Sequence, residues 1–260
     1  MATVTSKDGT QLSYDQSGAG PALILVVGAF NDRAAGAPLA RTLQQRFTVF
    51  NYDRRGRGES GDSAKYAVER EIEDLDALIT QAGGSARVFG YSSGAILAMR
   101  AAAHGLAISQ LALYEPPPTG TRAGELAPQL SELVAAGRRG DAVELFQTDA
   151  IGIPADVVAQ MRFAPFRPEL EKMAQTLVYE SILLKALPKE LVTSVRNPTL
   201  IVDGDASPEV MRQAARALAD ALPDSRYRTL KGQTHDIDPV VLGPVLEEFF
   251  LAPASGKFAG

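Results

Sequence analysis

Residues Val88-Phe89-Gly90-Tyr91-Ser92-Ser93-Gly94-Ala95-Ile96-Leu97-Ala98 run a short apolar segment into Gly-x-Ser-x-Gly and out into an alanine-rich helical pattern. Strand, sharp turn and helix in that order are the context in which this turn lifts a serine hydroxyl clear of a sheet edge. So tight a turn has no room for side chains at its flanks, hence Gly90 and Gly94, and it strains the backbone of Ser92 between them. The N–H of Ser93 opens the helix, where a free backbone donor suits a developing oxyanion. The same glycines would also serve a loop that merely closes a helix onto a strand. The strand before and the helix after favour an exposed nucleophile.

Upstream, Ala22-Leu23-Ile24-Leu25-Val26-Val27 and Phe47-Thr48-Val49-Phe50-Asn51-Tyr52 are continuous apolar runs, as expected of strands buried on both faces. Residues 33–46 and 66–81 carry helical periodicity. Residues 2–17 predict a hairpin turning at Lys7-Asp8-Gly9-Thr10. Downstream, Gln110-Leu111-Ala112-Leu113-Tyr114 reads as a strand, and Pro198–Asp203 and Tyr227–Leu230 as two more. Helices are expected at 208–222 and 239–250, then a disordered tail. Strands alternating with helices give an α/β chain: a mostly parallel, doubly wound sheet with an N-terminal hairpin. The section from 119 to 195 holds helical patterns and no convincing strand. It predicts a helical cap inserted in a core domain made of residues 1–118 and 196–260. Met161, Phe163, Phe166, Met173, Leu177, Tyr179, Leu183 and Leu184 supply the cap's apolar residues, a minority of which would roof the site.

A chain of 260 residues supports one sizeable core with a lid. Its net charge of −5 offers no electrostatic footprint for nucleic acid or an anionic membrane. No cysteine is present, so disulfides and thiolate metal sites are excluded. The first residues lack a secretory pattern, and no apolar run approaches membrane-spanning length, so a cytoplasmic protein acting on a small molecule, monomer or homodimer, is the expectation. No metal-ligand spacing or dinucleotide fingerprint occurs, and no cofactor is expected. The loop Asp53-Arg54-Arg55-Gly56-Arg57-Gly58 lacks the lysine and spacing of a phosphate loop; a structural role is expected, with Asp53 and the arginines pairing among themselves.

A serine needs a base, and the chain holds two histidines. His104 precedes Gly105 at the end of the elbow helix, a C-terminal helix position. His235 lies in a polar loop between the last strand and last helix, and the order serine then histidine is that of elbow-serine hydrolases.

These features, with Val26-Val27-Gly28-Ala29-Phe30, Asp53–Ser60, Pro198–Gly204 and Gly232-Gln233-Thr234-His235, resemble the α/β-hydrolase fold family over residues 3–251. The resemblance implies Ser92 as nucleophile, His235 as base, and the N–H groups of Ala29 and Ser93 as oxyanion hole, with Phe30 the substitute if the loop is shifted. Two departures stand out. Val27 replaces the family's usual histidine before Gly28. The usual acid position, three residues after Gly204, is Ser207, which reads as the N-cap of the following helix. Some members, among them certain haloalkane dehalogenases and mycotoxin lactonases, place a glutamate after the strand that follows the elbow helix. Glu115, in Tyr114-Glu115-Pro116-Pro117, resembles that arrangement and is the expected acid. Asp205 is the runner-up, with Asp236 and Asp203 less well placed.

The expected activity is hydrolysis of a carboxylic ester or lactone of an uncharged, fairly hydrophobic molecule through an acyl-enzyme. Carbon–carbon cleavage or cyclisation on the same fold, and a non-catalytic receptor that keeps the pocket, are the alternatives.

Overall fold

Each apolar run becomes a strand of one sheet. The computed structural model describes residues 1–63 and 65–252, so most of the tail expected to be disordered lies outside it. Among the described residues the strands are β1 (Ala2–Thr5), β2 (Gln11–Ser17), β3 (Ala22–Val26), β4 (Thr48–Tyr52), β5 (Ala86–Tyr91), β6 (Ile108–Tyr114), β7 (Thr199–Gly204) and β8 (Ser225–Leu230). They lie in the order β1-β2-β4-β3-β5-β6-β7-β8. β1 and β2 form the expected antiparallel hairpin, β2 joins β4 antiparallel, and every pairing from β4 to β8 is parallel.

The helices are α1 (Arg33–Leu43), α2 (Val68–Gln81) and α3 (Ser93–Ala103). Between β6 and β7 come α4 (Ala127–Ala135), α5 (Arg139–Leu145), α6 (Ala155–Met161), α7 (Arg167–Lys172), α8 (Thr176–Leu183) and α9 (Lys189–Ser194). α10 (Glu209–Ala221) and α11 (Pro239–Leu251) complete the chain. On one sheet face, Leu39 and Leu43 of α1 and Leu246 and Phe250 of α11 pack with Leu23, Leu25 and Phe89. On the other, Leu75, Leu78, Ile96, Met99 and Ala215 pack with Ile24, Val88 and Leu113. Burial on both faces explains why the inner strands carry continuous apolar runs such as Leu23-Ile24-Leu25-Val26 and Leu111-Ala112-Leu113 rather than a strict alternation.

Among the described residues no strand lies between β6 and β7. Leu126, Leu130, Val143, Phe146, Ala174 and Leu177 form a separate cluster there. Leu183, Leu184, Val192 and Val195 join the cluster on the sheet instead.

The 53–58 loop corrects one expectation. Asp53 pairs with Arg33, and it also accepts the N–H of Arg33 at 2.7 Å and of Glu59 at 2.9 Å. Arg54 takes Glu71 with two bonds of 2.7 and 2.8 Å, and Arg55 takes Asp74 and Asp8. The reason is reach: the short Asp53 side chain is taken up by Arg33 and by backbone N–H groups near it, whereas the long guanidiniums of Arg54 and Arg55 span to Glu71 and Asp74 of α2.

Candidate active site

Strand register builds the site. Val26 of β3 pairs with Gly90 of β5, Tyr91 with Tyr114 of β6, and Tyr114 with Val202 of β7. Gly28, Ser92, Glu115 and Gly204 therefore leave adjacent strands at one edge, where open parallel sheets bind ligands. Ser92 N–H donates to the Tyr114 carbonyl at 2.9 Å and Glu115 N–H to the Val202 carbonyl at 2.8 Å, continuing the ladder past the strand ends. Among the described residues, the non-glycines with positive φ are Phe30 (59°), Ser92 (55°) and Glu115 (48°). Each follows a strand that meets at this edge. Left-handed backbone at such residues costs about 1–3 kcal/mol apiece and persists only where the surroundings impose it.

Close approach explains the glycines. A Cβ on Gly94 would stand 2.2 Å from the Val26 carbonyl oxygen, and one on Gly90 2.6 Å from Ala95 Cα. A Cβ on Gly28 would stand 2.8 Å from Ser92 Cβ, so the loop after β3 lies directly against the serine.

His235 Nδ1 donates to Glu115 Oε2 at 2.7 Å, across 120 residues of sequence. Glu115 is fully buried. Its other oxygen accepts the N–H of Gly204 at 2.9 Å and the hydroxyl of Ser207. Burial alone would push its carboxyl up, but the bonds from His235, Ser207 and Gly204 outweigh that and hold it below the ordinary glutamate value. Ser207 is thus not the N-cap read from the sequence. Helix α10 begins after Pro208 with no side-chain cap, and the Ser207 hydroxyl goes to the carboxylate. The buried carboxylate is a strong acceptor for the hydroxyl's proton, and the side chain is turned toward it rather than toward the first helix N–H groups.

The histidine loop is tied to the ends of β6 and β7. Tyr114 hydroxyl donates to the Thr234 carbonyl at 2.6 Å, and Ala206 N–H to the Gln233 carbonyl at 3.0 Å. Asp205, the alternative acid, is exposed and accepts Gly232 N–H at 2.6 Å. Asp203 is buried and accepts the Tyr227 hydroxyl, and Asp236 is exposed. His104 caps α3 at the far end, its Nδ1 2.8 Å from the Arg100 carbonyl.

Ser92, Ser93, Ala29, Phe30 and His235 line one cavity of about 500 Å³. Its walls include the apolar Pro117, Pro118, Ala123, Phe146, Ala150, Ile151, Leu184, Val210 and Met211, the polar Asn31, Tyr91 and Thr121, and Arg122 and Asp149, paired at 3.6 Å. Of the apolar residues read as roof candidates only Leu184 lines it. Met173 and Leu177 are buried, and Tyr179 stacks on Tyr66 at 4.0 Å. Phe163 faces solvent at 89% exposure. The turn Phe146–Ile151 supplies that wall instead, with Phe146 packed edge-on to Phe30 at 5.7 Å. Its wide π-type coil breaks the 3.6-residue period by which a sequence assigns helix faces. Among the described residues no group of three or more His, Asp or Glu side chains is arranged to hold a metal ion, and no helix is long and apolar enough to cross a membrane.

A model described as the alpha/beta hydrolase family matches residues 23–244. A crystal structure of an alpha/beta hydrolase from Sphaerobacter thermophilus DSM 20745 is 50% identical, with a TM-score of 0.89 over 96% of this chain and 100% of that one. A 2-(acetamidomethylene)succinate hydrolase of Mesorhizobium japonicum is 29% identical, covering 88% of this chain and 86% of its own. The enol-lactonase of Burkholderia xenovorans LB400 shares the fold at 22% identity and a TM-score of 0.72, over 96% of this chain and 100% of that one.

Proposed function

The chain belongs to the alpha/beta hydrolase family, and on that premise we propose that it cleaves a carboxylic ester or lactone through an acyl-enzyme on Ser92. His235 takes the Ser92 proton as the hydroxyl attacks the carbonyl carbon. The N–H groups of Ala29 and Ser93 hold the tetrahedral oxyanion, and His235 protonates the departing alcohol. Water, deprotonated by His235, then attacks the acyl-enzyme; a second tetrahedral intermediate, held in the same hole, collapses to release the acid as His235 returns the proton to Ser92. Glu115 keeps Nδ1 protonated, so that Nε2 is the basic nitrogen, and it balances the imidazolium that forms. The 119–195 segment acts as the cap.

The observation that carries this reading is the 2.7 Å bond from the buried Glu115 to a histidine that shares a cavity with the strained Ser92. The mainly apolar walls favour an uncharged, fairly hydrophobic substrate, and the volume suits a small ligand. A fluorophosphonate probe should label Ser92 stoichiometrically, and p-nitrophenyl butyrate should give a burst equal to the enzyme concentration. Ser92→Ala should show neither. Turnover that survives Ser92→Ala would sink the proposal.

A further inference from the structure

The peptide that joins Gly28 to Ala29 is gripped from behind by charge. Arg57, 2% exposed, donates through Nη1 to the Gly28 carbonyl at 2.5 Å and the Asn31 carbonyl at 3.1 Å. Arg54, fully buried, donates to the Val27 carbonyl at 3.2 Å. Both guanidiniums converge on Oε1 of Glu180, a buried residue of α8; the Arg54 bond is 2.8 Å. Glu71 balances the second charge through its two bonds to Arg54.

As a stabilising device this network is poor. Desolvating such ions offsets most of their attraction. Arg57 Nε and Glu180 Oε2 have no hydrogen-bond partner among the described residues, which adds to the cost. What the network does supply is direction. In a trans peptide the C=O and N–H point opposite ways, and there is no cis bond among the described residues. Fixing the Gly28 carbonyl on Arg57 therefore fixes the Ala29 N–H on the other side. Ala29 lines the cavity with Ser92, and Gly28 lies against Ser92 Cβ. The next residue, Phe30, is held at φ 59°, a strained conformation that needs outside restraint. A guanidinium on the carbonyl also polarises the peptide, which makes its N–H the better donor.

We propose that Arg57, held by Glu180 of α8, is a positioning residue that locks the Gly28–Ala29 peptide with its N–H free for the oxyanion. The inference rests on the donor role of Ala29 stated above. It makes the oxyanion loop dependent on a residue from the helical segment between β6 and β7.

The test uses ¹⁵N-labelled enzyme titrated with phenylboronic acid, whose serine adduct carries a tetrahedral anion, alongside p-nitrophenyl butyrate kinetics. The variants are Arg57→Lys, which keeps the charge but loses the fork, and Glu180→Gln, which keeps size and frees the guanidinium. Wild type should show a downfield shift of the Ala29 amide proton on adduct formation. Both variants should lose most of that shift, with kcat down about 10- to 100-fold and KM within about threefold. If Arg57→Lys does not fold, Glu180→Gln alone decides. A wild-type Ala29 shift and wild-type kcat retained in a folded variant would overturn the inference alone. An Ala29 amide that stays put in wild type while Ser92 is modified would remove Ala29 from the oxyanion hole, and the inference with it.

Discussion

Glu115 is where a single residue carries the most consequence. Its carboxylate is buried and takes three donors, each charge-assisted bond contributing about 1.5–3 kcal/mol. Under the proposed mechanism, Glu115→Gln should lower kcat by about 10²- to 10⁴-fold, whereas Asp205→Asn should leave it within about threefold, because the exposed Asp205 side chain accepts the Gly232 N–H. A reversed order in steady-state assays would move the acid to Asp205. The pH dependence follows from the depressed carboxyl. A group whose folded pKa lies below its unfolded value contributes stability above the unfolded pKa, and that contribution fades as pH falls through the folded one. The Tm difference between wild type and Glu115→Gln should accordingly shrink only in acid below the ordinary glutamate range. Ser207→Ala removes one donor, so the acid limb of kcat/KM should move to higher pH with little change in KM. An unmoved limb would show that the Ser207 bond does not tune Glu115.

At the scale of elements, the elbow is a packing joint as much as a chemical one. Helix α3 sits so close to the end of β3 that Gly94 is pressed on the Val26 carbonyl, with no flexible side chain available to yield. Gly94→Ala should destabilise the fold by at least the upper end of the roughly 1–3 kcal/mol typical of overpacking, read as a lower urea midpoint at unchanged m. A neutral result would mean that α3 slides on the sheet. The elbow's strand, turn and helix were legible in the sequence because each is a local pattern: an apolar run, paired glycines, an alanine-rich period. The acid that Arg54 and Arg57 share was not legible, because Glu180 lies more than a hundred residues away and no period links them.

For the whole molecule, the question is how the segment between β6 and β7 meets the sheet. Phe146 reaches from that segment to Phe30 beside the Gly28–Ala29 peptide, and it walls the cavity. Phe146→Ala should cost about 3–5 kcal/mol of stability as a buried aromatic truncation, while shifting preference toward esters with bulkier acyl groups. A kcat/KM profile across acetyl, butyryl and benzoyl esters that keeps its wild-type order would count against this wall. By itself the sequence determined the doubly wound sheet, the elbow serine, the single histidine following the last strand, and the loss of a carboxylate at 207. The first three follow from local patterns and composition, which act along the chain; the loss at 207 is visible only against the family that those patterns resemble. The resemblance pointed to Glu115, and the tertiary structure brings it to His235; the tertiary structure alone decided that Ser207 supports that glutamate rather than a helix, and that Phe146–Ile151 forms the wall. Those contacts depend on β6 lying between β5 and β7, and on side chains crossing from one strand end to the next. Strand order is a property of the folded sheet. The elbow can be read in the chain, but the neighbours that would make its serine reactive are brought to it only by that order.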